Sequence, residues 1–115
     1  MEVPITMRHV GILMAKFGME PHVVTKYNGE RKPTVILKDN HFVCAWGNRY
    51  FDPYGEPSPY PKHISFPYRV QGEGENTCGR HCVLRLKHRD MGDDEYYAWL
   101  KNAGMNMDLF VYLNT

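Results

Sequence analysis

Residues 41–52, His-Phe-Val-Cys-Ala-Trp-Gly-Asn-Arg-Tyr-Phe-Asp, constrain the fold more than any other part of the chain. Two β-prone runs, His41–Trp46 and Arg49–Asp52, flank Gly47-Asn48, and a glycine at the first position of a two-residue loop suits a type II′ hairpin turn. Such a loop fixes the register. Trp46 pairs with Arg49, Val43 falls opposite Asp52, and His41 falls opposite Tyr54. His41 and Asp52 then share a face as diagonal neighbours, about 7–8 Å apart at the backbone, within reach of an imidazole and a carboxylate that lean together. The hairpin alone thus predicts an oriented histidine.

The flanking sequence surrounds this hairpin with one domain spanning 1–115. Thr6 is placed to cap a helix in which Val10, Leu13, Met14 and Phe17 recur at helical spacing, and Gly18 ends it. Pro21, Asn28-Gly29 and Pro33 make residues 20–33 loop or short extended pieces, before a buried strand over Thr34–Leu37 closed by Lys38-Asp39-Asn40. Five prolines from Pro53 to Pro67 forbid a helix or a central strand, so an extended surface connection is expected there. Tyr68–Gln71 reads as another short strand and Gly72–Glu75 as a turn. Asn76 or Thr77 caps a helix beginning near Cys78, with Cys78, Cys82 and Leu86 on one stripe and Arg80, Lys87 and Arg89 elsewhere. A further helix runs from Asp93 to Gly104. Asp108 is a cap for a last element, Leu109–Leu113, which is helix or strand. Strands followed by helices indicate an α+β fold.

Charge and cysteine content narrow the function. Fourteen Lys and Arg against thirteen Asp and Glu leave a formal charge of +1, which argues against a chain whose whole surface binds nucleic acid. Three cysteines, Cys44, Cys78 and Cys82, are too few for a secreted disulfide framework. The start, Met-Glu-Val-Pro-Ile-Thr, lacks a signal-peptide pattern, and the longest apolar run, Val10–Ala15, is far short of the ~20 residues of a membrane span. The expectation is a soluble protein in a reducing compartment with free thiols.

A nucleophilic cysteine needs a lowered pKa, a nearby imidazole, a group that orients the imidazole, and donors for the developing oxyanion. Cys78 at a helix start meets the first need through unpaired backbone N–H groups and the helix dipole. Gly79 next to it allows close approach of a substrate backbone. The Cys78 amide is one oxyanion donor, and Gln71, just before the glycine-rich turn, is placed to supply the second.

These residues match a known pattern. Asn40-His41-Phe42-Val43, Tyr50-Phe51-Asp52-Pro53-Tyr54-Gly55, Gln71, and Thr77-Cys78-Gly79-Arg80-His81-Cys82 seven residues after the glutamine resemble the adenain family. That family comprises adenovirus-type maturation proteases, related more distantly to SUMO-specific proteases. The resemblance is best over residues 41–86. It implies a small papain-like α+β fold, a mixed twisted sheet flanked by helices with the nucleophile at a helix N-terminus. It also implies that Cys78 is the nucleophile, His41 the general base and then acid, Asp52 the residue that orients His41, and Gln71 the oxyanion side chain. Substrates are then capsid or core precursors cut after glycine, in a virion or infected cell. Phe42 stands where the family usually has Trp, the hairpin is shorter, and the chain is smaller than typical adenains. Adenain is stimulated by DNA and by a viral peptide; no cysteine partner for that peptide is matched here and the charge is near neutral, so neither is carried over: the sequence requires no cofactor and leaves an activating peptide or DNA open. No membrane partner is expected either.

Other readings of the same residues compete with this one. Related proteases also cut ubiquitin-like modifiers after glycine, and a non-catalytic capsid or interaction module is a reading from a different class. A zinc site from Cys78, His81, Cys82 and His88 would crowd three ligands on one helix and lacks a second cysteine pair. Cys82 and Cys44 read as core thiols, with a redox partnership between Cys78 and Cys82 the lesser alternative. His9, His22 and His63 read as surface residues, and His81 as a solvated helix residue. Asp52 before Pro53 also fits a turn opener, a role compatible with orienting His41. Tyr60, Tyr68 and Arg69 either line a peptide groove or pack a loop.

Overall fold

A computed structural model describes residues 5–115. Residues 1–4, the start of the segment without a signal-peptide pattern, lie outside the described residues. Four helices, α1 (Met7–Lys16), α2 (Cys78–Lys87), α3 (Asp93–Lys101) and α4 (Met107–Leu113), surround a five-stranded mixed sheet of β1 (Val23–Val24), β2 (Thr34–Lys38), β3 (His41–Trp46), β4 (Arg49–Phe51) and β5 (Ile64–Ser65). The strands lie in sequence order. β2, β3 and β4 pair antiparallel, whereas the two-residue edges β1 and β5 pair parallel. The molecule is an α+β domain.

Turn chemistry sets the centre of the sheet. Trp46 pairs with Arg49, and Gly47 alone in that loop has positive φ (55°), as a type II′ turn requires. The β2–β3 hairpin closes through Asp39 and Asn40, both left-handed at φ 51° and 61°, a type I′ pattern that Asp and Asn tolerate better than most residues. In both hairpins the register is short and unambiguous.

β2, β3 and β4 alternate between two cores. Val35, Phe42, Cys44 and Phe51 face the main core with α2, whereas Ile36, Val43, Ala45 and Tyr50 form a smaller cluster under Tyr27 and Tyr60. α2 is buried nearly all round, from Cys78 through Leu86 save Arg80. The sheet covers one side and α1 and α4 the others. Burying each large apolar side chain is worth roughly 1.5–3 kcal/mol, so this helix organises the fold. Even Arg85 is interior. Its guanidinium lies 4.8 Å from the Trp46 ring and 4.7 Å from the Tyr96 ring, and it donates to Asp93 and to the carbonyls of His88 and Met91.

Several local expectations are corrected. Tyr68–Gln71 is not a strand: the N–H groups of Val70 and Gln71 both donate to the Pro53 carbonyl, and no strand lies alongside. The proline-rich connection contributes the edge strand β5, where an unpaired side tolerates prolines nearby. The final element is a helix, and Asn106 rather than Asp108 caps it, accepting from Leu109 N–H at 3.1 Å. His81 is not solvated but fully buried. His22 and His63 are half-buried, the first 2.8 Å from the Glu30 carboxylate and the second against Tyr27. Tyr68 stacks on Tyr97 at 4.1 Å and donates to Asp94, which is loop packing. Among the described residues no helix is long and apolar enough to cross a membrane.

Gly79 does not face a substrate. A Cβ at this position would lie 2.6 Å from Ile5 Cγ2, 3.0 Å from Val10 Cγ2 and 3.2 Å from Phe42 Cδ2, so the glycine lets α2 press against α1 and β3. Gly79→Ala gains helix propensity of up to about 1 kcal/mol. The overpacking costs about 1–3 kcal/mol and outweighs it. Chemical denaturation is expected to show a net destabilisation of about 1–2 kcal/mol; an equally stable variant would contradict this packing.

Candidate active site

The end of a strand ladder creates the site. β4 stops at Phe51, opposite Cys44. N–H groups alternate between the two sides of a strand, so Phe42, two residues from Cys44, directs its N–H to the side that β4 no longer covers. The start of α2 fills that place, and Phe42 N–H donates to Cys78 Sγ at 3.5 Å. The backbone amide of Gly79, next along the helix, adds to the lowering of the Cys78 pKa.

His41 begins β3, and its Nε2 lies 2.8 Å from Asp52 Oδ1. The same oxygen accepts the Tyr54 N–H at 2.8 Å, so Asp52 opens the turn and orients the imidazole at once. Tyr54 stacks on the ring at 4.6 Å and 14°. Gly55 completes the turn at φ 74°, pressed so close to Tyr68 that a Cβ would lie 2.8 Å from its carbonyl. With Nε2 committed to Asp52, Nδ1 is the ring nitrogen left to interact with the Cys78 sulfur, whose negative charge helps to raise the imidazole pKa.

The electrostatics favour an ion pair. Burial opposes charge on both partners. At Cys78 burial pushes the thiol up, but His41 and the Phe42 and Gly79 N–H groups outweigh it and leave the pKa below its ordinary value. At His41 burial pulls the other way, yet hydrogen bonds and charge from Asp52 and Cys78 raise the imidazole to about 9. Between these two titrations the proton sits on His41 and the negative charge on Cys78.

Gln71 stands apart from this pair. It is buried, donates from Nε2 to the Glu75 carbonyl at 2.6 Å, and lies 3.5 Å from Tyr54 Oη. Its Oε1 is buried and has no hydrogen-bond partner. Among the described residues no hydrogen bond joins it to Cys78 or His41; Tyr54, between the Gln71 amide and the His41 ring, connects them. Cys82 and Cys44 are core thiols, with Cys44 Sγ 3.8 Å from the Cys82 carbonyl, and burial pushes Cys82 well up. His81 is taken by Asp108, and among the described residues no three His, Cys, Asp or Glu side chains are grouped to hold a metal.

Concavities border His41 and Gln71, and Cys78 is in the wall of neither. His41 and Asp52 open on a cavity of about 430 Å³ with Val43, Tyr50, Tyr54 and Pro57 in its wall. Gln71 and Gly72 border a cleft of about 330 Å³ with Arg69, Asn106 and Met107. An apolar groove of about 480 Å³ between α1 and β1, lined by Met7, Ile12 and Val23, contains none of the reactive residues. Sequence reasoning missed Tyr54 and Asp108 as site residues. The aromatic in Pro53-Tyr54-Gly55 was a usable signal for the first, whereas nothing local marks the second.

Iodoacetamide alkylation of Cys78, followed by peptide mass spectrometry across pH, reads the ion pair directly. The rate is expected to rise with a midpoint below the ordinary ~8.5 of cysteine, and His41→Ala is expected to move that midpoint upward because the buried sulfur loses its cation. Equal midpoints in the two proteins would contradict the pairing.

No family model, curated protein or solved structure matches the chain.

Proposed function

We propose that the chain is an adenain-like cysteine endopeptidase with a papain-like arrangement of sheet and helices. The observation that carries the reading is Asp52 Oδ1 at 2.8 Å from His41 Nε2, with His41 lowering the pKa of a Cys78 sulfur that is seated at a helix N-terminus and accepts the Phe42 N–H at 3.5 Å. An inert core thiol requires neither an oriented imidazole nor a backbone N–H directed at its sulfur.

In the reaction, the Cys78 thiolate attacks a peptide carbonyl carbon and forms the C–S bond of a tetrahedral intermediate. The oxyanion accepts hydrogen bonds from the Cys78 N–H, which belongs to the unpaired first turn of α2. Gln71 is the second donor. Its Nε2 lies 2.6 Å from the Glu75 carbonyl and 3.5 Å from Tyr54 Oη, so the whole side-chain amide has to rotate away from these partners to present an N–H to the oxyanion. His41 gives its proton to the leaving amine as the C–N bond breaks, leaving a thioester. Neutral His41 then takes a proton from water, the hydroxide displaces Cys78 from the acyl carbon, and thiolate and imidazolium are restored.

Substrates of this reading are viral or virus-like structural precursors, extended and cut after glycine, with no cofactor, in a virion or the reducing interior of a host cell. N-terminal profiling of a proteome-derived peptide library is the test. New N-termini preceded by glycine are expected with the wild type and none with Cys78→Ala; identical profiles would refute the proposal. Preferential labelling of Cys78 by modifier C-terminal electrophiles would reassign the substrate to ubiquitin-like modifiers. Gln71→Ala is expected to lower turnover about 100- to 1000-fold while leaving Cys78 alkylation near wild type, and a parallel loss of both would remove Gln71 from the oxyanion site.

A further inference from the structure

The second buried histidine–carboxylate pair lies in the interior beneath the segment that joins Gln71 to Cys78. Asp108 projects from the first turn of α4 and is 2% exposed. Its Oδ2 accepts the Gly72 N–H at 2.9 Å. Its Oδ1 accepts the Thr77 hydroxyl at 2.6 Å and His81 Nε2 at 2.9 Å. Gly72 and Thr77 are the two ends of the connecting segment, and they directly adjoin the two oxyanion donors, Gln71 and Cys78. A side chain on Gly72 would crowd the carboxylate, with its Cβ 3.0 Å from Asp108 Oδ2.

Thr77 shows what the carboxylate changes. A threonine at the N-cap ordinarily turns its oxygen onto an N–H of the first helical turn. Thr77 is the N-cap of α2 but makes no such bond; its hydroxyl is turned to Asp108, to which it donates. The first-turn N–H groups are therefore not taken by this side chain. His81 supports the same oxygen from the helix interior. Burial lowers its pKa, so it is a neutral Nε2–H donor, and its Nδ1 has no partner. The Asp108 carboxyl is held below its ordinary value, since the hydrogen bonds from His81, Thr77 and Gly72 outweigh the burial that pushes it up.

We infer that Asp108 is a positioning residue for the oxyanion site: it fastens both ends of segment 72–77 and holds the Thr77 hydroxyl off the start of α2. The inference rests on the proposed acyl-transfer reaction. It adds a carboxylate that, among the described residues, makes no hydrogen bond to Cys78 or His41, and whose loss weakens oxyanion stabilisation without weakening the nucleophile.

Two reagents separate these effects. Alkylation by iodoacetamide needs only the thiolate, whereas acylation by N-acetylglycine p-nitrophenyl ester needs thiolate and oxyanion donors. Asp108→Asn replaces one accepting oxygen with a donor that opposes Gly72, Thr77 or His81. It is expected to slow Cys78 acylation about 10- to 100-fold while alkylation stays within about twofold of wild type. Thr77→Val loses a single fastening and is expected to slow acylation about three- to tenfold; it decides the matter if Asp108→Asn does not fold. An unchanged ratio of acylation to alkylation, or an equal fall in both rates, would overturn the inference. Failure of the wild type to be acylated faster than Cys78→Ala would instead overturn the proposed function, and this inference with it.

Discussion

The burial of α2 governs the molecule. A ten-residue helix buried on nearly every side, His81 and Arg85 included, is enclosed by the sheet, α1 and α4, and glycine at its second position lets it approach β3 without a gap. Its axis and depth are thereby set by the core. The N-terminus, with its unpaired N–H groups, has nowhere to go but the place where β4 ends and Phe42 offers a free donor. The cysteine is delivered to the histidine by packing, and no flexible element carries it there.

Two His–Asp pairs made from the same side chains behave in opposite ways because their surroundings differ. His41 is half-buried and meets both a carboxylate and a thiol, so added negative charge raises its pKa despite the loss of water. His81 is sealed, and burial overrides its single carboxylate, which also serves Thr77 and Gly72. The first pair favours the charged imidazole and the second the neutral one.

Much of this was legible in the sequence, for physical reasons. A two-residue loop at Gly47-Asn48 leaves one register, and that register pointed to His41 beside Asp52. The ladder ends at the Cys44–Phe51 pair, however, so the expected Val43–Asp52 and His41–Tyr54 pairings are not part of it, and Asp52 reaches His41 from the turn after β4. Helical spacing from Cys78 to Leu86 marked the central helix, and the Thr6 cap marked α1. The failures share a cause. Asp108, thirty residues beyond Cys78, looks like a local cap because Asp is a good one; only the tertiary approach of α4 to α2 turns it inward. His81 follows Arg80 and reads as solvated, but α2 is enclosed on more sides than its stripe of apolar residues suggests. Gly79 has an obvious use beside a nucleophile, and only coordinates reveal the side chains of Ile5 and Val10 against it. Long-range packing assigned these residues, and no local pattern encodes it.

The central claim is that Cys78 and His41 share one proton, with the charge divided between sulfur and ring. NMR titration of the His41 ring in the wild type and in Cys78→Ala measures this at the group concerned. The account predicts that His41 stays protonated up to about pH 9 in the wild type and titrates distinctly lower once the sulfur is gone, with Asp52 still in place. An imidazole that titrates near the ordinary ~6.5 in the wild type, or identically in both proteins, would contradict it.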